Sequence, residues 1–392
     1  MTAKTYDILL AGGGVMSCAT AYYLLKAHPR LKIGIVEKDP TYTFSSTVLS
    51  DGNTRIQFNL KENIQISLFG LEVLSHFSEE MAINGGKPAV DFHRQGNLFL
   101  VEAASRAEAL AGLELQQRLG GEVRWLSPDE IRQIYPLCNP GDCVGGTFGP
   151  QDGTLNPWAV LMAYKNKAVE LGAEYIHAEA AAVLSANGRV TGLRLISGET
   201  LPAPLVLNGT GAWGTQLALT CGVHLPVDPI MRQVFVVETN ARPSGILPGI
   251  FFPSGLYCFH ERGGQFMIGK SFSDDPLGFD FQPNRQIFTD RIWPELVDFM
   301  PSFDRLKVTR SWSGLYDVNT LDGNAILGEW PALKGFFLAN GFSGHGFQQC
   351  HAVGRYLAEK MLHLKPSLDL SIFSPERILT NTPLSENKAR LI

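Results

Sequence analysis

The chain has 392 residues, of which 45% are hydrophobic and 18% are charged, and its formal net charge is −5. This is the composition of a globular protein with room for two or three domains. The negative balance excludes a strongly basic nucleic-acid surface, and no apolar run is long enough to span a bilayer, so we expect neither a nucleic-acid partner nor a membrane span.

The first predicted unit, Tyr6–Glu37, has the order of a βαβ dinucleotide-binding unit. An apolar strand enters a turn in which Gly12 permits the sharp bend and Gly14 lets a pyrophosphate approach the backbone. The phosphates would then rest on the N–H groups at the start of the next helix. The third fingerprint position holds Ser17 instead of glycine. Glu37 follows it by about 20 residues, where an acidic residue favours the unphosphorylated ribose of FAD or NAD over that of NADP. The alternative is an ordinary βαβ unit with an empty turn.

The polar loop that follows, Ser45–Arg55, is rich in hydroxyl side chains. It predicts either a second loop folded over the cofactor or a plain surface loop. Residues 61–82 have helical spacing, Gln95–Val101 predicts a strand followed by a helix, and Ser127–Glu130 has the signature of a capping box. The Gly- and Pro-rich segment 136–152 predicts a crossover back to the first domain.

A second candidate cofactor-facing turn comes later in the chain. Asn187-Gly188 is a hairpin signal, and the apolar strand Pro204–Asn208 enters the small residues of Gly209–Trp213, which resembles the first turn. From Leu225 to about Val318 the short β-rich runs predict the antiparallel sheet of a second domain. A helix is predicted to interrupt this sheet at Arg285–Met300.

Near the end of the chain, a buried strand runs into the glycine-rich segment Gly341–Phe347, where the helix Gln348–Leu362 is predicted to begin. Glycines around His345 at a helix N-terminus form a site that favours anions. A reduced flavin carries negative charge on its pyrimidine side, so we expect the flavin ring at this loop. The alternative is a loop histidine without function.

The cysteines are scattered along the chain, and none forms a CxxC pair. Neither a metal site nor a disulfide framework is therefore indicated, and reduced thiols in a cytoplasm are the simplest expectation. Residues 8–16 have the pattern of a strand and a glycine turn, which differs from that of a signal peptide.

Taken together, these segments resemble the glycine/sarcosine oxidase and D-amino-acid oxidase superfamily of FAD-dependent amine oxidoreductases. The resemblance covers nearly the whole chain, and its anchors are Ala11–Gly14, Val36-Glu37, Asp51–Arg55, Asp152–Pro157, Gly211–Trp213 and Gly341–Gly346. Three further segments look most similar to the FAD-dependent oxidoreductase domain-containing protein branch: Ser46–Ser50, Trp312–Asp317 and Gly346–Gln349.

The resemblance implies an α/β fold, α+β overall, with two domains. A discontinuous Rossmann-like FAD-binding domain would comprise residues 1–82, 150–222 and 319–392. A smaller domain, from residues 83–149 and 223–318, would cover the flavin with a large antiparallel or mixed β-sheet.

The resemblance also implies the residues that contact FAD. They are Gly12, Gly14, Val15, Met16, Glu37, Lys38, Ser46, Thr47, Gly52, Ala180, Gly211, Trp213, Gly314, Gly344, His345, Gly346, Phe347 and Gln348. Gly314 stands where monomeric sarcosine oxidases carry the cysteine that tethers their flavin, so the FAD is expected to be non-covalent.

The substrate positions depart from those of the relatives. Basic side chains that hold a substrate carboxylate in this superfamily are replaced here by Phe58, Tyr316 and Gln348, which argues against a simple amino acid. Arg55 remains the expected cation near the flavin, with a solvated loop arginine as the alternative. The other residues expected at the reaction site are Tyr257, His260, Tyr316, His345 and Gln348, of which Tyr257, His260 and Tyr316 are candidates for polar contacts or a proton acceptor.

The position of the lysine that promotes the oxygen reaction in sarcosine oxidases holds Met267 here. Lys270 comes three residues later, so on a strand it would face the opposite side. We therefore expect slow reaction with O2 and allow another electron carrier.

The leading prediction is a FAD-dependent enzyme that oxidises the C–N bond of a primary or secondary amine or an N-substituted amino acid by hydride transfer to flavin N5. One alternative is a hydroxy-acid oxidoreductase on the same scaffold. Another is a flavin-binding assembly or interaction protein without turnover.

Overall fold

The computed structural model describes residues 4–384 and 386. The parts of the predicted domain ranges at 1–3, 385 and 387–392 lie outside the described residues. The strands are β1 (Ile8–Ala11), β2 (Ile33–Glu37), β3 (Asn53–Thr54), β4 (Asn97–Val101), β5 (Arg124–Leu126), β6 (Gly145–Gly149), β7 (Gly153–Thr154), β8 (Glu174–His177), β9 (Ala180–Ala186), β10 (Arg189–Leu195), β11 (Thr200–Pro202), β12 (Leu205–Asn208), β13 (Val227–Thr239), β14 (Gly249–Phe251), β15 (Tyr257–Arg262), β16 (Gln265–Gly269), β17 (Leu306–Asn319), β18 (Ile326–Glu329) and β19 (Phe336–Asn340).

The α-helices are α1 (Val15–Ala27), α2 (Ser46–Leu49), α3 (Lys61–Glu80), α4 (Arg106–Arg118), α5 (Pro128–Ile134), α6 (Pro157–Glu170), α7 (Gly214–Leu219), α8 (Arg285–Ile287), α9 (Trp293–Phe299), α10 (Gly346–Met361) and α11 (Glu376–Leu379). Short 3-10 turns occur at Ala103–Ser105, Gly211–Trp213, Pro301–Phe303 and Ser371–Phe373, and Phe288–Ile292 forms a π-helical turn.

A six-stranded sheet in the order β18-β19-β12-β1-β2-β8 forms one half of the molecule. Its strands are parallel except β18, which pairs antiparallel with β19. Helix α1 packs against α6 and α10 in the hydrophobic core on one face of the sheet, and the small sheet β11-β10-β9 packs against the other. The carboxyl ends of β1, β12 and β19 meet at one edge, so the turns that follow them lie close together.

An eight-stranded sheet in the order β17-β13-β16-β15-β14-β4-β6-β5 forms the other half. It is antiparallel except where β14 pairs with β4. One face of this sheet packs against α5 and the segment 287–306 in a second core. The mixed α/β architecture confirms the predicted fold class, and the domain boundaries stay a prediction.

Two local predictions are confirmed. The Ser127 hydroxyl accepts from the Glu130 N–H, and the Glu130 carboxylate accepts from the Ser127 N–H, which completes the capping box of α5. Asn187 and Gly188 have φ values of 51° and 72°, as a tight hairpin turn between β9 and β10 requires.

The interpretation of segment 136–152 as a plain crossover was wrong, because it contains β6. Three of the five residues of β6 are glycine, which masks a strand in the sequence. The neighbouring chain occupies the space that their side chains would need: a Cβ on Gly146 would lie 2.7 Å from the Phe99 carbonyl oxygen, and one on Gly149 would lie 2.6 Å from Asp152 Oδ2.

The predicted helix at Arg285–Met300 is also interrupted. A π-helical turn, Phe288–Ile292, separates α8 from α9, and Pro294 is the second residue of α9. Proline has no N–H to continue the helical hydrogen bonds, which accounts for the break.

The loop after β19 is fixed to β17 by Asp317. Its carboxylate accepts from the Gly341 N–H at 2.8 Å, and its main-chain oxygen accepts from the Ser343 N–H at 3.1 Å. The Asn319 N–H donates to the Ser343 hydroxyl at 3.0 Å. These bonds join the two large sheets and set the position from which α10 starts.

We predict that Asp317 makes the stability of the protein depend on pH. Burial raises the pKa of Asp317 to about 6, so the folded chain holds the proton more tightly than the unfolded chain. Its contribution is full below about pH 3.9 and is lost as the pH rises through about 6. Relative to Asp317→Asn, the wild-type free energy of unfolding should fall by on the order of 2–3 kcal/mol between pH 4 and 7.

The measurement is urea unfolding of both FAD-free proteins across this range. A wild-type-to-variant difference that stays constant with pH would contradict the assignment.

Candidate functional site

A cavity of about 460 Å³ lies between the carboxyl edge of the six-stranded sheet and one face of the eight-stranded sheet. One end is lined by the turns after β1 and β12, and we call it the nucleotide end. The other end is lined by side chains from β13, β14 and β15, and we call it the substrate end. The polar loop Ser45–Arg55 and the start of α10 line the space between them.

The turn after β1 packs directly on the turn after β12. Gly12 has a φ of +84°, and a Cβ there would lie 2.6 Å from the Gly209 carbonyl oxygen. Gly14, the residue before α1, is open by comparison: the nearest atom to a Cβ there is Thr47 Oγ1 at 3.7 Å. The first turn of α1 contains no acidic residue. The backbone at this helix start is therefore open to an anionic ligand.

Glu37 is held by the main chain with acceptor capacity to spare. Its Oε2 accepts from the Gly13 N–H at 2.6 Å, and its Oε1 accepts from the Asp39 N–H at 2.8 Å. A carboxylate oxygen can accept more than one hydrogen bond, so Glu37 can also receive hydroxyl donors from the cavity. Nearby, Lys38 Nζ lies 3.8 Å from the centre of the Trp213 ring.

The polar loop is not a plain surface loop, since it contains α2 and β3 and is bonded to β17. The Ser46 hydroxyl donates to the Leu315 carbonyl at 2.6 Å, and the Trp312 ring N–H donates to the Leu49 carbonyl at 2.9 Å. A Cβ on Gly314 would lie 3.1 Å from Leu49 Cβ. The loop is thus held along the middle of the cavity.

Arg55, His345 and Gln348 form one hydrogen-bonded group at the start of α10. Arg55 Nη2 lies 3.2 Å from His345 Nε2, and the Arg55 N–H donates to Gln348 Oε1 at 2.9 Å. Burial and the neighbouring Arg55 charge lower the pKa of His345 to about 3, so its ring is neutral and Nε2 accepts from the guanidinium. The Gln348 carbonyl is engaged by the backbone.

Three phenylalanine rings surround the Arg55 guanidinium. Its Cζ lies 4.9, 5.3 and 5.5 Å from the ring centres of Phe58, Phe99 and Phe251. Burial lowers the pKa of Arg55 to about 10, so the side chain is still a cation at neutral pH. The alternative of a solvated loop arginine was wrong, since only 4% of Arg55 is exposed.

Two charged residues of the substrate end were missed in the sequence. Arg232, on β13, forms an ion pair with Asp275, and its Cζ lies 5.4 Å from the centre of the Tyr316 ring. Asp51 lines the cavity, and the pKa of Tyr257, which is raised mainly by burial, is raised further by the charge of Asp51. The available signal was an arginine two residues before Val234 on an apolar strand, since side chains at this spacing share one face.

The segment 270–284, between β16 and α8, reaches both ends of the cavity. Asp275 accepts from the Phe272 N–H at 2.8 Å and holds Arg232 at the substrate end. Phe279 and Phe281 pack on the Trp213 ring at the nucleotide end, with ring centres 5.2 and 6.4 Å away.

The cavity brings together most of the residues predicted to hold the cofactor. Those that line it are Gly12, Gly14, Val15, Met16, Glu37, Lys38, Ser46, Thr47, Ala180, Gly211, Trp213, Gly314, Gly344, His345, Gly346, Phe347 and Gln348. Among the other predicted reaction-site residues, Arg55, Tyr257 and Tyr316 also line it.

Gly52 and His260 do not line the cavity, and we correct both assignments. The space beside Gly52 is taken by the Leu155 carbonyl, which a Cβ on Gly52 would overlap. His260 Nδ1 accepts from the Leu247 N–H at 3.0 Å, and its Nε2 lies 3.0 Å from the Gly263 carbonyl. Both ring nitrogens of His260 are therefore used to hold main chain.

The lysine positions agree with the sequence argument. Met267 packs in a cluster that includes Phe251 and Phe259, and Lys270 forms an ion pair with Glu295. Among the described residues that line the cavity, the sole lysine is Lys38, at the nucleotide end.

Within residues 4–384, none of the helices has the length and apolar character needed to cross a membrane. In the same part of the chain, no group of three or more His, Cys, Asp or Glu side chains is arranged to hold a metal ion.

Comparison with known proteins gives a family and close relatives. The family model described as FAD dependent oxidoreductase matches residues 7–360. FAD-dependent oxidoreductase domain-containing protein 1 of Xenopus laevis is 33% identical, over 97% of this chain and 84% of its own length. Sarcosine oxidase subunit beta of an Arthrobacter species is 24% identical, over 99% of this chain and 95% of its own. These matches confirm the resemblance found in the sequence.

Two solved structures share the fold. L-proline dehydrogenase from P. horikoshii superposes with a TM-score of 0.87 and 24% identity, covering 97% of this chain and all of that one. Glycine oxidase from Geobacillus kaustophilus superposes with a TM-score of 0.80 and 23% identity, covering 94% and 98%. Because the family model spans most of the sequence and the Xenopus laevis relative aligns with nearly all of it, the chain belongs to the family of FAD-dependent oxidoreductases.

Proposed function

We propose that the protein oxidises the C–N bond of a primary or secondary amine that carries a carboxylate, using non-covalently bound FAD. The observation that carries the proposal is the substrate end of the cavity. There, a cation on β13, Arg232, stands beside the aromatic side chains of Phe251, Tyr257, Phe259 and Tyr316. A cation for a carboxylate within an apolar wall is the set of groups that a small amino acid or N-substituted amino acid needs.

The nucleotide end fits FAD. Gly12, Gly14 and the first N–H groups of α1 would hold the diphosphate, and Glu37 would accept from the ribose hydroxyls. Gly344, His345 and Gly346 would lie beside the flavin pyrimidine, where the N-terminus of α10 favours negative charge. When bound, FAD supplies the capacity to accept a hydride from the carbon beside the substrate nitrogen.

The sequence argued against an amino acid because three basic positions of the relatives are neutral here. Arg232 supplies a cation from another strand and lines the cavity, and its ion pair with Asp275 is made through Nη1, which leaves other donors of the guanidinium for a ligand. Phe58, one of the replaced positions, is fully buried beside His345, with ring centres 5.3 Å apart. We therefore again include amino acids among the expected substrates.

The names of the relatives support the same chemistry. Sarcosine oxidase, glycine oxidase and L-proline dehydrogenase are named for amines that bear a carboxylate. The name of the Xenopus laevis relative states no substrate. Since no lysine lines the substrate end in the described part of the chain, we propose an electron carrier other than O2 as the acceptor, with slow oxidase activity at most.

We expect FAD to leave the protein on denaturation. None of the six cysteines, all within the described residues, lines the cavity, and Gly314 offers no side chain for a covalent link. After acid precipitation, the flavin absorbance should be found in the supernatant and match the protein in amount. Flavin that stays in the washed pellet would overturn the non-covalent assignment.

The function itself is tested by following loss of flavin absorbance without oxygen. Glycine, L-alanine, sarcosine and L-proline are compared with glycolate and L-lactate, the hydroxy analogues of glycine and L-alanine. Bleaching by an amine and not by its hydroxy analogue is expected. Bleaching by the hydroxy acids alone would select a hydroxy-acid oxidoreductase. No bleaching by any of them, together with a stable protein partner in a pulldown, would favour an assembly protein without turnover.

The role of Arg232 is tested with Arg232→Met combined with Asp275→Asn, so that no buried carboxylate is left unpaired. Loss of a charge-assisted contact of about 1.5–3 kcal/mol should raise KM for the best amine of the screen by roughly 10- to 100-fold. The KM for its methyl ester, which lacks the charge, should change little. Arg310→Met, an exposed arginine on β17, is the matched control. If the double variant and the wild type had the same KM for the acid, as they should for the ester, the assignment would be contradicted.

A further inference from the structure

Asp51 is held with its carboxylate at the substrate end. Its Oδ1 accepts from the Asn53 N–H at 3.0 Å, which fixes the side chain against its own loop. Burial raises the pKa of this carboxyl group, and the Tyr257 hydroxyl, from β15, lies close enough to lower it. Tyr257 is buried and lies across Gly269 of the neighbouring strand, so Asp51 and Tyr257 come from two separate parts of the chain.

The groups that face Asp51 are proton donors or are already engaged, which leaves Asp51 to accept a proton at the substrate end. Tyr257 and Tyr316 are phenols whose pKa values are raised by burial, so both are neutral donors at physiological pH. His345 Nε2 is used by Arg55. Of the other acids near this end, Asp275 is in an ion pair with Arg232, and Asp317, which also lines the cavity, accepts from the Gly341 N–H.

The groups around Asp51 act on the pKa of its carboxyl group in opposite directions. Burial raises the pKa of Asp51, while the Asn53 N–H, the Tyr257 hydroxyl and the Arg55 charge act in the opposite direction. A base with a raised pKa is suited to proton transfer near neutral pH.

We propose that Asp51 binds the ammonium group of an amino acid zwitterion and removes its proton before oxidation. The inference rests on the proposed function and extends it: the substrate class is an amino acid held at both charges, with the carboxylate on Arg232 and the ammonium on Asp51. An ammonium nitrogen has no lone pair, so the adjacent carbon cannot lose a hydride. The N–H bond breaks, its electron pair stays on nitrogen, and the proton forms an O–H bond on Asp51.

The binding half is tested without turnover. Glycine betaine carries a permanent positive charge and no removable N–H, and 3,3-dimethylbutanoate has carbon in place of that nitrogen. In the FAD-loaded protein, each is titrated by its perturbation of the flavin spectrum. Asp51→Asn should weaken betaine binding at least tenfold and leave the carbon analogue unchanged. An equal change for both probes, or none for betaine, would overturn the inference.

The proton-transfer half is tested by the pH dependence of anaerobic flavin reduction, with the amine found in the screen. In Asp51→Asn the rate at pH 7 should fall by about 10²- to 10⁴-fold and should rise roughly tenfold per pH unit toward the pKa of the free amine. A loss that is equal at every pH would show a structural role instead.

Tyr257→Phe is the second variant, in case Asp51→Asn fails to fold with FAD. Removal of the hydroxyl takes away a group that favours ionised Asp51, so the acid limb of the profile should move to higher pH. An unmoved limb would contradict the Asp51–Tyr257 pair. If no amine reduces the flavin, the proposed function fails. The betaine titration still decides whether Asp51 binds a positively charged group.

Discussion

The close contact between two glycine turns at one edge of the parallel sheet sets the geometry of the whole site. The turn after β1 lies so near the turn after β12 that no side chain fits at Gly12, because a Cβ there would meet the Gly209 carbonyl. Since both strands end at this edge, the first helix starts with its free N–H groups toward the same cavity. The other walls of the cavity are arranged around these two turns. The polar loop lies along the middle of the cavity, and the eight-stranded sheet closes the opposite side.

Local patterns in the sequence were enough to predict what depends on neighbours along the chain. The βαβ unit, the capping box at Ser127 and the hairpin at Asn187-Gly188 are each specified within a few residues, and each is present. Strand β6 was hidden because its glycines depend on the packing of distant residues, including Phe99. Packing between separate segments leaves little trace in a short window of sequence.

Sequence patterns were equally limited in predicting the reactive residues of the substrate end. His260 looked reactive in the sequence, but its two nitrogens hold the backbone of neighbouring segments. Arg232 belongs to no motif, Asp51 stands in a motif that gave no sign of its role, and the side chains that they face lie 43 and 206 positions away along the chain. Their importance emerges only when β13, β15 and the polar loop are brought to one cavity. Arg55 is the intermediate case, since the motif predicted its place but gave no sign of the phenylalanine rings around it.

The segment 270–284 links the two ends of the cavity mechanically. It holds Arg232 through Asp275 and lies on Trp213 through Phe279 and Phe281. A carboxylate that binds Arg232 beside Asp275 would act on one attachment of this segment while the aromatic attachment remains. Thermodynamic reciprocity then requires that any resulting change in coenzyme retention be matched by an equal change in ligand affinity. The affinity for the coenzyme would thus depend on whether a ligand is bound at Arg232.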